Sequence, residues 1–234
     1  MAEEVKAEIK PTLYYGEEEP IKPEKKVPEE KKIVAVLKPI VPEVFAPPVV
    51  GYRKPEVAMP VPTEQILLDI EVTNLDPTKG RIICIGTLDL RVPNAEPKIF
   101  YDEDEEKMVK DFIDYFNRGG FNQIVGYNIN FDIRYIFAKC LRYLIPCDRF
   151  AFSDYLDIMQ ILKQVKLTYV YTLNKPGKLE DWAYFLFGEK KPMDYKQLLK
   201  AYAMKDIETV INYNKYDLMI EALLYQGIRY ILKI

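Results

Sequence analysis

The sequence predicts an α/β domain behind an extended, proline-rich N-terminal arm, because the prolines concentrate at the start, strand patterns follow, and amphipathic helices come last. Of the 234 residues, 49% are hydrophobic and 29% are charged, a balance typical of globular proteins. A chain of this length is expected to form one domain with an appendage.

The arm is expected over residues 1–63, which hold 11 of the 17 prolines together with clusters of Glu and Lys. This composition buries little apolar surface, so it favours an extended or disordered segment. Residues 33–52 are unusually apolar for a linker, and we interpret them as a segment that docks on a protein partner or on the chain's own domain. A plain tether is the alternative. The globular domain is then expected over residues 64–234.

Four strands are predicted from short apolar runs bounded by turn residues. The first begins at residues 66–68, and the others cover residues 81–90, 98–101 and 124–127. Glycine, proline and asparagine separate the first three, at the spacing of hairpins or a meander.

Helices are predicted over residues 104–118 and 132–144, and most of the remaining chain is also expected to be helical, ending in a long helix over residues 205–225. The first helix has an acidic first turn, a Gly-Gly stop, and one apolar face formed by Met108, Phe112, Ile113 and Phe116. The second is expected to bury one face formed by Ile133, Ile136, Cys140 and Leu144.

Composition excludes several mechanisms. The chain has no histidine, so it can form no Ser-His-Asp triad, histidine zinc site or histidine general base. Its three cysteines are too few and too scattered for a disulfide framework or a cysteine zinc site. Any chemistry must use carboxylates, tyrosine, lysine, hydroxyls, thiols or a metal held by oxygen.

Charge and hydropathy set expectations about partners and location. The net charge of -3 argues against indiscriminate binding to polyanions, although local patches can still be basic. The first residues are acidic and lack an apolar signal region, and apolar runs are short. We therefore expect a cytoplasmic location and no membrane partner.

Three short patterns place carboxylates where they could meet. Asp69 and Glu71 lie on one face of the first strand, where two like charges repel unless a cation lies between them. Asp132 follows a strand at the start of a helix, and Tyr213 and Asp217 share a helix face. Taken singly, these patterns also suit a solvated strand edge, an N-cap and a polar helix surface.

Taken in order, D-x-E on a first strand, N-x-x-F-D after a later strand and Y-x-x-x-D on a late helix resemble the motifs of the DEDD superfamily of 3'-5' exonucleases, tyrosine subclass. This subclass includes the proofreading domains of family A and family B DNA polymerases and the relatives of ribonuclease D. Residues 178–191 resemble the helix before the third motif in family B domains. Asn128 with Phe131 and Asp132 matches the family A and ribonuclease D spacing, so the branch stays open.

The resemblance implies a ribonuclease H-like mixed β-sheet flanked by helices. It gathers four carboxylates at one edge of the sheet: Asp69, Glu71, Asp132 and Asp217. Oxygen ligands suit two Mg2+ or Mn2+ ions. By the same resemblance, Asp69 bridges the two ions, while Glu71 and Asp217 complete the coordination of one. Asp132 acts partly through water, and Tyr213 orients the attacking water.

The Y-x-x-x-D spacing also occurs at Tyr202 and Asp206, eleven residues before the other copy. On one continuous helix the two copies would lie about 16 Å apart, so only one could reach the metals. We favour Tyr213 and Asp217, because the sequence around them is more similar to the family's helix. Asp206 is then a surface residue or a residue at the helix N-terminus.

Substrate contacts are expected in two places. The resemblance implies contacts in the loop after the first strand and in the second motif, through Thr73, Asn74, Leu75, Asn128 and Phe131. Between residues 160 and 205, nine lysines against four acids interleave with aromatic residues, which is typical of a groove for single-stranded nucleic acid. The alternative is a solvated lysine face over aromatic core residues, and for Trp182 we favour the core.

We therefore predict a metal-dependent 3'-5' exonuclease that hydrolyses single-stranded nucleic acid, with DNA favoured over RNA, in repair, replication or nucleic-acid turnover. The alternative is a catalytically inactive adaptor of the same fold that binds nucleic acid or a replication or repair partner. A nucleotide-binding α/β protein is disfavoured, because the chain lacks both G-x-G-x-x-G and a G-K-[ST] loop.

Overall fold

A computed structural model describes residues 64–164, 177–188 and 191–233. These residues form five strands and seven helices. The predicted arm, residues 1–63, and its apolar segment, residues 33–52, lie outside the described residues.

The strands are β1 (Gln65–Val72), β2 (Ile82–Asp89), β3 (Lys98–Phe100), β4 (Gln123–Gly126) and β5 (Asp154–Asp157). They form one mixed sheet in the order β3-β2-β1-β4-β5, with β1–β2 and β2–β3 antiparallel and β1–β4 and β4–β5 parallel. The predicted mixed sheet is confirmed. The sequence did not reveal β5, because only one of its four side chains is buried and no alternation is visible.

The helices are α1 (Glu105–Gly119), α2 (Asn130–Tyr143), α3 (Asp148–Ala151), α4 (Ile158–Gln164), α5 (Leu179–Phe187), α6 (Tyr195–Ala203) and α7 (Ile207–Leu232). Asp104 caps the start of α1, where its side chain accepts hydrogen bonds from two backbone N–H groups, and Gly120, with a φ of 71°, caps its end. The α7 helix continues past the predicted end at residue 225.

Apolar side chains pack on both faces of the sheet. On one face Leu68 and Ile70 of β1 join the core formed with α1 and α2. On the other face Leu67 packs against Leu218 and Ala222 of α7. Because side chains alternate along a strand, Asp69 and Glu71 share the face of Leu67 and point towards α7.

Individual side chains both confirm and correct the core prediction. Trp182 is 8% exposed and belongs to the core, as favoured. Leu144 was wrongly expected on the buried face of α2, since it is 84% exposed. It caps the helix with a φ of 55°, and this left-handed conformation takes it out of the helical spacing.

Among the helices that the structure describes, none is both long enough and apolar enough to cross a membrane.

Candidate metal centre

Three carboxylates meet where β1 runs beside α7. Asp69, Glu71 and Asp217 each offer one oxygen atom, and these oxygens all lie within 4.8 Å of one another. Glu71 and Asp217 are buried, and Asp69 is half-buried. The alternation of β1 turns the first two side chains to one face, and the packing of α7 on that face supplies the third.

Asp132 approaches the same strand from α2. Its Oδ1 accepts a hydrogen bond of 3.1 Å from the backbone N–H of Ile70, the residue between Asp69 and Glu71. Since α2 follows β4, and β4 runs parallel to β1, the start of α2 lies beside the end of β1. Burial, followed by repulsion from Asp69, raises the pKa of Asp132 well above its ordinary value.

Asn214 of α7 fixes the orientation of Asp69. Its Nδ2 donates a hydrogen bond of 2.7 Å to Asp69 Oδ2. Gly86 lies opposite Asp69 in the β1–β2 ladder, and a Cβ at position 86 would overlap the Asn214 amide oxygen. A glycine is therefore what allows α7 to approach the sheet closely enough for this contact.

Lys191, just before α6, supplies a positive charge at the cluster. Its Nζ lies 2.6 Å from Asp217 Oδ2 and donates a hydrogen bond of 3.1 Å to the Tyr213 hydroxyl. The ammonium also lies 4.9 Å from the centre of the Tyr213 ring. Burial alone would lower the pKa of Lys191, but Asp217 and Tyr213 hold it above its ordinary value, so the lysine stays charged.

The carboxylates repel one another strongly. Burial, followed by repulsion from Asp217, raises the pKa of Asp69 to about 8, even though Lys191 and Asn214 lower it. Burial, followed by repulsion from Asp69 and Asp217, raises the pKa of Glu71 well above its ordinary value. Burial also raises the pKa of Asp217, against the opposing effect of Lys191. Lys191 therefore offsets only part of the negative charge of these carboxylates.

The residues of this cluster fit a divalent cation. The three ligand atoms that meet are carboxylate oxygens, the donor type that Mg2+ and Mn2+ prefer. Asp217 Oδ1 is buried and has no hydrogen-bond partner within the described part of the chain. A bound cation would give this oxygen a partner and would remove the repulsion that raises the carboxylate pKa values.

The residues expected to contact substrate differ in how exposed their side chains are. Leu75 is 69% exposed, Asn74 is also exposed, and the Thr73 hydroxyl accepts a hydrogen bond from the backbone of Arg81. Asn128 is exposed with a φ of 61°, and Phe131 is half-buried.

Side chains from α2 hold the loop that carries Asn74. The Tyr135 hydroxyl donates to the backbone carbonyl of Asn74 at 2.9 Å. The buried ammonium of Lys139 donates to the carbonyls of Pro77 and Gly80 at 3.0 and 2.5 Å. The position of the loop beside the cluster is therefore set by the tertiary structure.

The two copies of the Y-x-x-x-D spacing lie on different helices. Tyr213 and Asp217 are both buried on α7, whereas Tyr202 lies on α6 and Asp206 is the exposed N-cap of α7. Asp206 Oδ1 accepts a hydrogen bond of 3.2 Å from the backbone of Thr209. Of the two pairs, the structure brings Tyr213 and Asp217 to the carboxylate cluster.

The sequence did not identify four residues at or beside the cluster. Lys191 was considered only as one of the nine lysines between residues 160 and 205, and no sequence pattern pointed to Asn214 or Asp157. Asp157 is buried at the end of β5, and its Oδ1 accepts from the backbone N–H of Asn128 at 3.0 Å, which fixes the turn before α2. Glu221 could have been recognised from its spacing, since it follows Asp217 by four residues and therefore shares its helix face.

The fold and the site together define a ribonuclease H-like domain with an acidic cluster on its sheet. The chain belongs to the RNase_H superfamily, whose family model matches residues 66–228. This membership indicates a nuclease.

The chain is also similar to two individual proteins. The chain is 30% identical over 121 residues to an uncharacterized protein of Methanocaldococcus jannaschii, a match that covers 51% of this chain and 64% of that protein. Its structure is similar to that of the family B DNA polymerase from the hyperthermophilic archaeon Pyrobaculum calidifontis, with a TM-score of 0.56 and 17% identity. This similarity covers 76% of this chain and 25% of the polymerase, so it extends to only part of that protein.

Proposed function

We propose that this chain is a metal-dependent 3'-5' exonuclease that hydrolyses phosphodiester bonds in single-stranded nucleic acid, with DNA favoured over RNA. The observation that carries the proposal is the meeting of Asp69, Glu71 and Asp217 oxygens within 4.8 Å, beside a buried tyrosine. The similarity of the fold to part of a DNA polymerase supports DNA as substrate. We assign the activity to a domain over residues 64–234.

The carboxylates would hold two Mg2+ or Mn2+ ions. Asp69 would contribute to both, Glu71 and Asp217 to one, and Asp132 partly through water. When bound, such ions activate a water molecule and stabilise charge on the departing 3' oxygen. Asn214 keeps the Asp69 carboxylate in one orientation through its 2.7 Å hydrogen bond.

Tyr213 would orient the attacking water. Its hydroxyl accepts a hydrogen bond from Lys191, so its own proton is free to be donated to a neighbouring oxygen. Burial, followed by repulsion from Asp217, holds the pKa of Tyr213 above its ordinary value, so the hydroxyl stays protonated. The tyrosine therefore acts as a hydrogen-bonding group and not as a base.

Substrate would lie along the exposed residues next to the cluster. Leu75 presents an apolar side chain for contact with a base, and Thr73 and Asn74 lie in the same loop. Asn128 and Phe131, which precede Asp132 in the chain, would also contact the single-stranded nucleic acid. Residues 33–52 would bind a protein partner, and the cytoplasmic location stays a prediction from the sequence.

The test uses single strands of DNA and RNA labelled at the 3' or the 5' end, with Mg2+, Mn2+ or chelator. Stepwise, metal-dependent loss from the 3' end is expected for the wild type and for Asp206→Asn, and not for Asp69→Asn or Asp217→Asn. The Asp206 variant is the matched control, because this aspartate is an exposed helix cap. Strand binding without any cleavage by the wild type would instead favour the inactive adaptor.

A further inference from the structure

Glu221 is a fifth carboxylate beside the cluster. It lies on α7 one turn after Asp217 and is 2% exposed, although glutamate is rarely buried without a partner. The backbone of Tyr127, at the end of β4, hydrogen-bonds its carboxylate. The other oxygen, Oε2, is buried and has no hydrogen-bond partner among the residues that the structure describes.

Three carboxylates lie close enough to Glu221 to repel its negative charge. Burial raises the pKa of Glu221 well above its ordinary value, and repulsion from Asp69, Asp132 and Asp217 raises it further. Lys191 forms its salt bridge with Asp217. Over residues 64–164, 177–188 and 191–233, no salt bridge joins Glu221 or Asp132 to a lysine or arginine.

The acidic cluster therefore has two parts that share Asp69. In the first part, Glu71 and Asp217 lie close to the ammonium of Lys191. In the second part, Asp132 of α2 hydrogen-bonds the backbone of Ile70 in β1, and Glu221 of α7 hydrogen-bonds the backbone of Tyr127, just after β4. Within the part of the chain that the structure describes, no salt bridge offsets the charge of either side chain. Burying an unpaired negative charge is strongly unfavourable, so carboxylates in the second part hold their protons, and a bound cation would take the place of those protons.

We propose that Glu221 is a metal ligand that, together with Asp69 and Asp132, binds the second of the two divalent cations. This inference rests on the proposed function and adds Glu221 to the motif residues Asp69 and Asp132 as a protein ligand of that ion. Glu221 Oε2, buried and without a partner in the described chain, is the ligand atom.

A purely structural role makes a different prediction. If Glu221 only accepted a hydrogen bond from the Tyr127 backbone, the amide oxygen of a glutamine would accept the same bond, and Glu221→Gln would leave metal binding unchanged. A ligand carboxylate needs its negative charge to hold a divalent cation, and the neutral glutamine lacks that charge. Glu221→Gln therefore separates the two roles without a large change of shape.

The experiment is a titration of the metal-free protein with Mn2+, in which electron paramagnetic resonance measures free Mn2+ and so gives the number and affinity of bound ions. The wild type is expected to bind two ions. In Glu221→Gln the first ion is expected to remain, and the affinity of the second to fall by at least about tenfold. Glu208→Gln, an exposed site on the same helix, should bind both ions as the wild type does. Equal binding by wild type and Glu221→Gln would overturn the proposal, as would a wild type that binds fewer than two ions.

A second measurement does not depend on the folding of a variant. In wild-type crystals soaked with Mn2+, anomalous scattering is expected to show one ion at coordination distance from a Glu221 oxygen. Two ions that both avoid Glu221 would refute its assignment as a ligand. Because neither measurement uses strand cleavage, a protein that binds metal through Glu221 but degrades no strand would contradict only the exonuclease proposal.

Discussion

The ammonium of Lys191 lies 2.6 Å from Asp217 Oδ2 and 3.1 Å from the Tyr213 hydroxyl. One positive charge thus connects the last carboxylate of the cluster to the tyrosine on the same helix face. Lys191 precedes α6, whereas both partners belong to α7, so packing of these two helices sets the contact. The side chain offsets part of the charge of Asp217 and fixes the direction of the tyrosine hydroxyl.

Lys191→Met is expected to slow strand cleavage by about a hundredfold, because the hydroxyl of Tyr213 loses the donor that orients it. It should also lower the free energy of unfolding of the metal-free protein by roughly 1–3 kcal/mol, since Asp217 loses a buried partner. Single-turnover cleavage and urea denaturation measure the two effects. Lys196→Met, an exposed lysine on α6, is the control and should change neither. A variant that kept its rate would contradict the positioning role.

Tyr213→Phe is expected to reduce the cleavage rate by about a hundredfold while strand affinity stays the same. The reason is that the ring remains packed and only the hydrogen-bonding hydroxyl is lost. Tyr202→Phe removes the corresponding hydroxyl from the other copy of the spacing and should cleave at the wild-type rate. Single-turnover rates and binding measured in chelator separate the two quantities. Loss of activity in Tyr202→Phe alone would show that the other pair is functional.

Gly86→Ala is expected to reduce activity and to destabilise the protein by about 1–3 kcal/mol, because the new methyl group overlaps Asn214 and displaces it from Asp69. Gly227→Ala is the matched control on α7. A Cβ at position 227 meets no atom within 4 Å, so this variant should gain about 0.5–1 kcal/mol from its helical position and keep full activity. Thermal unfolding and strand cleavage test both variants. Full activity in Gly86→Ala would mean that the Asn214 contact is dispensable.

Stability of the metal-free protein is expected to fall as the pH rises from about 4 to about 8. Asp69 has a pKa of about 8 in the folded chain against 3.8 as its ordinary value, so the folded state binds the proton more tightly. This contribution is present at low pH and is lost as the pH rises through the folded-state pKa. Melting temperatures in chelator should show the decline, Asp69→Asn should reduce it, and Mg2+ should stabilise the wild type more at pH 8 than at pH 5. A melting temperature that does not change with pH would show that repulsion among the carboxylates does not destabilise the folded protein.

Much of the fold and most of the candidate site followed from local patterns. Alternation in β1 predicted that Asp69 and Glu71 share a face, and helical spacing predicted the same for Tyr213 and Asp217. The prediction that Leu144 is buried was wrong, because this residue caps α2 and a cap does not follow the spacing of the helix before it. The short strand β5, with its single buried side chain, shows no pattern.

The sequence by itself determined the class of fold, the exclusion of histidine chemistry and the candidate carboxylates, because each depends on composition or on spacing within one element. Only the tertiary structure decided which residues complete the site. Lys191, which precedes α6, contacts Tyr213 and Asp217 of α7, and the contact between Asn214 and Asp69 requires a glycine on a neighbouring strand. Such contacts join residues far apart in the chain, and their distances depend on how helices pack on the sheet, which no local pattern encodes.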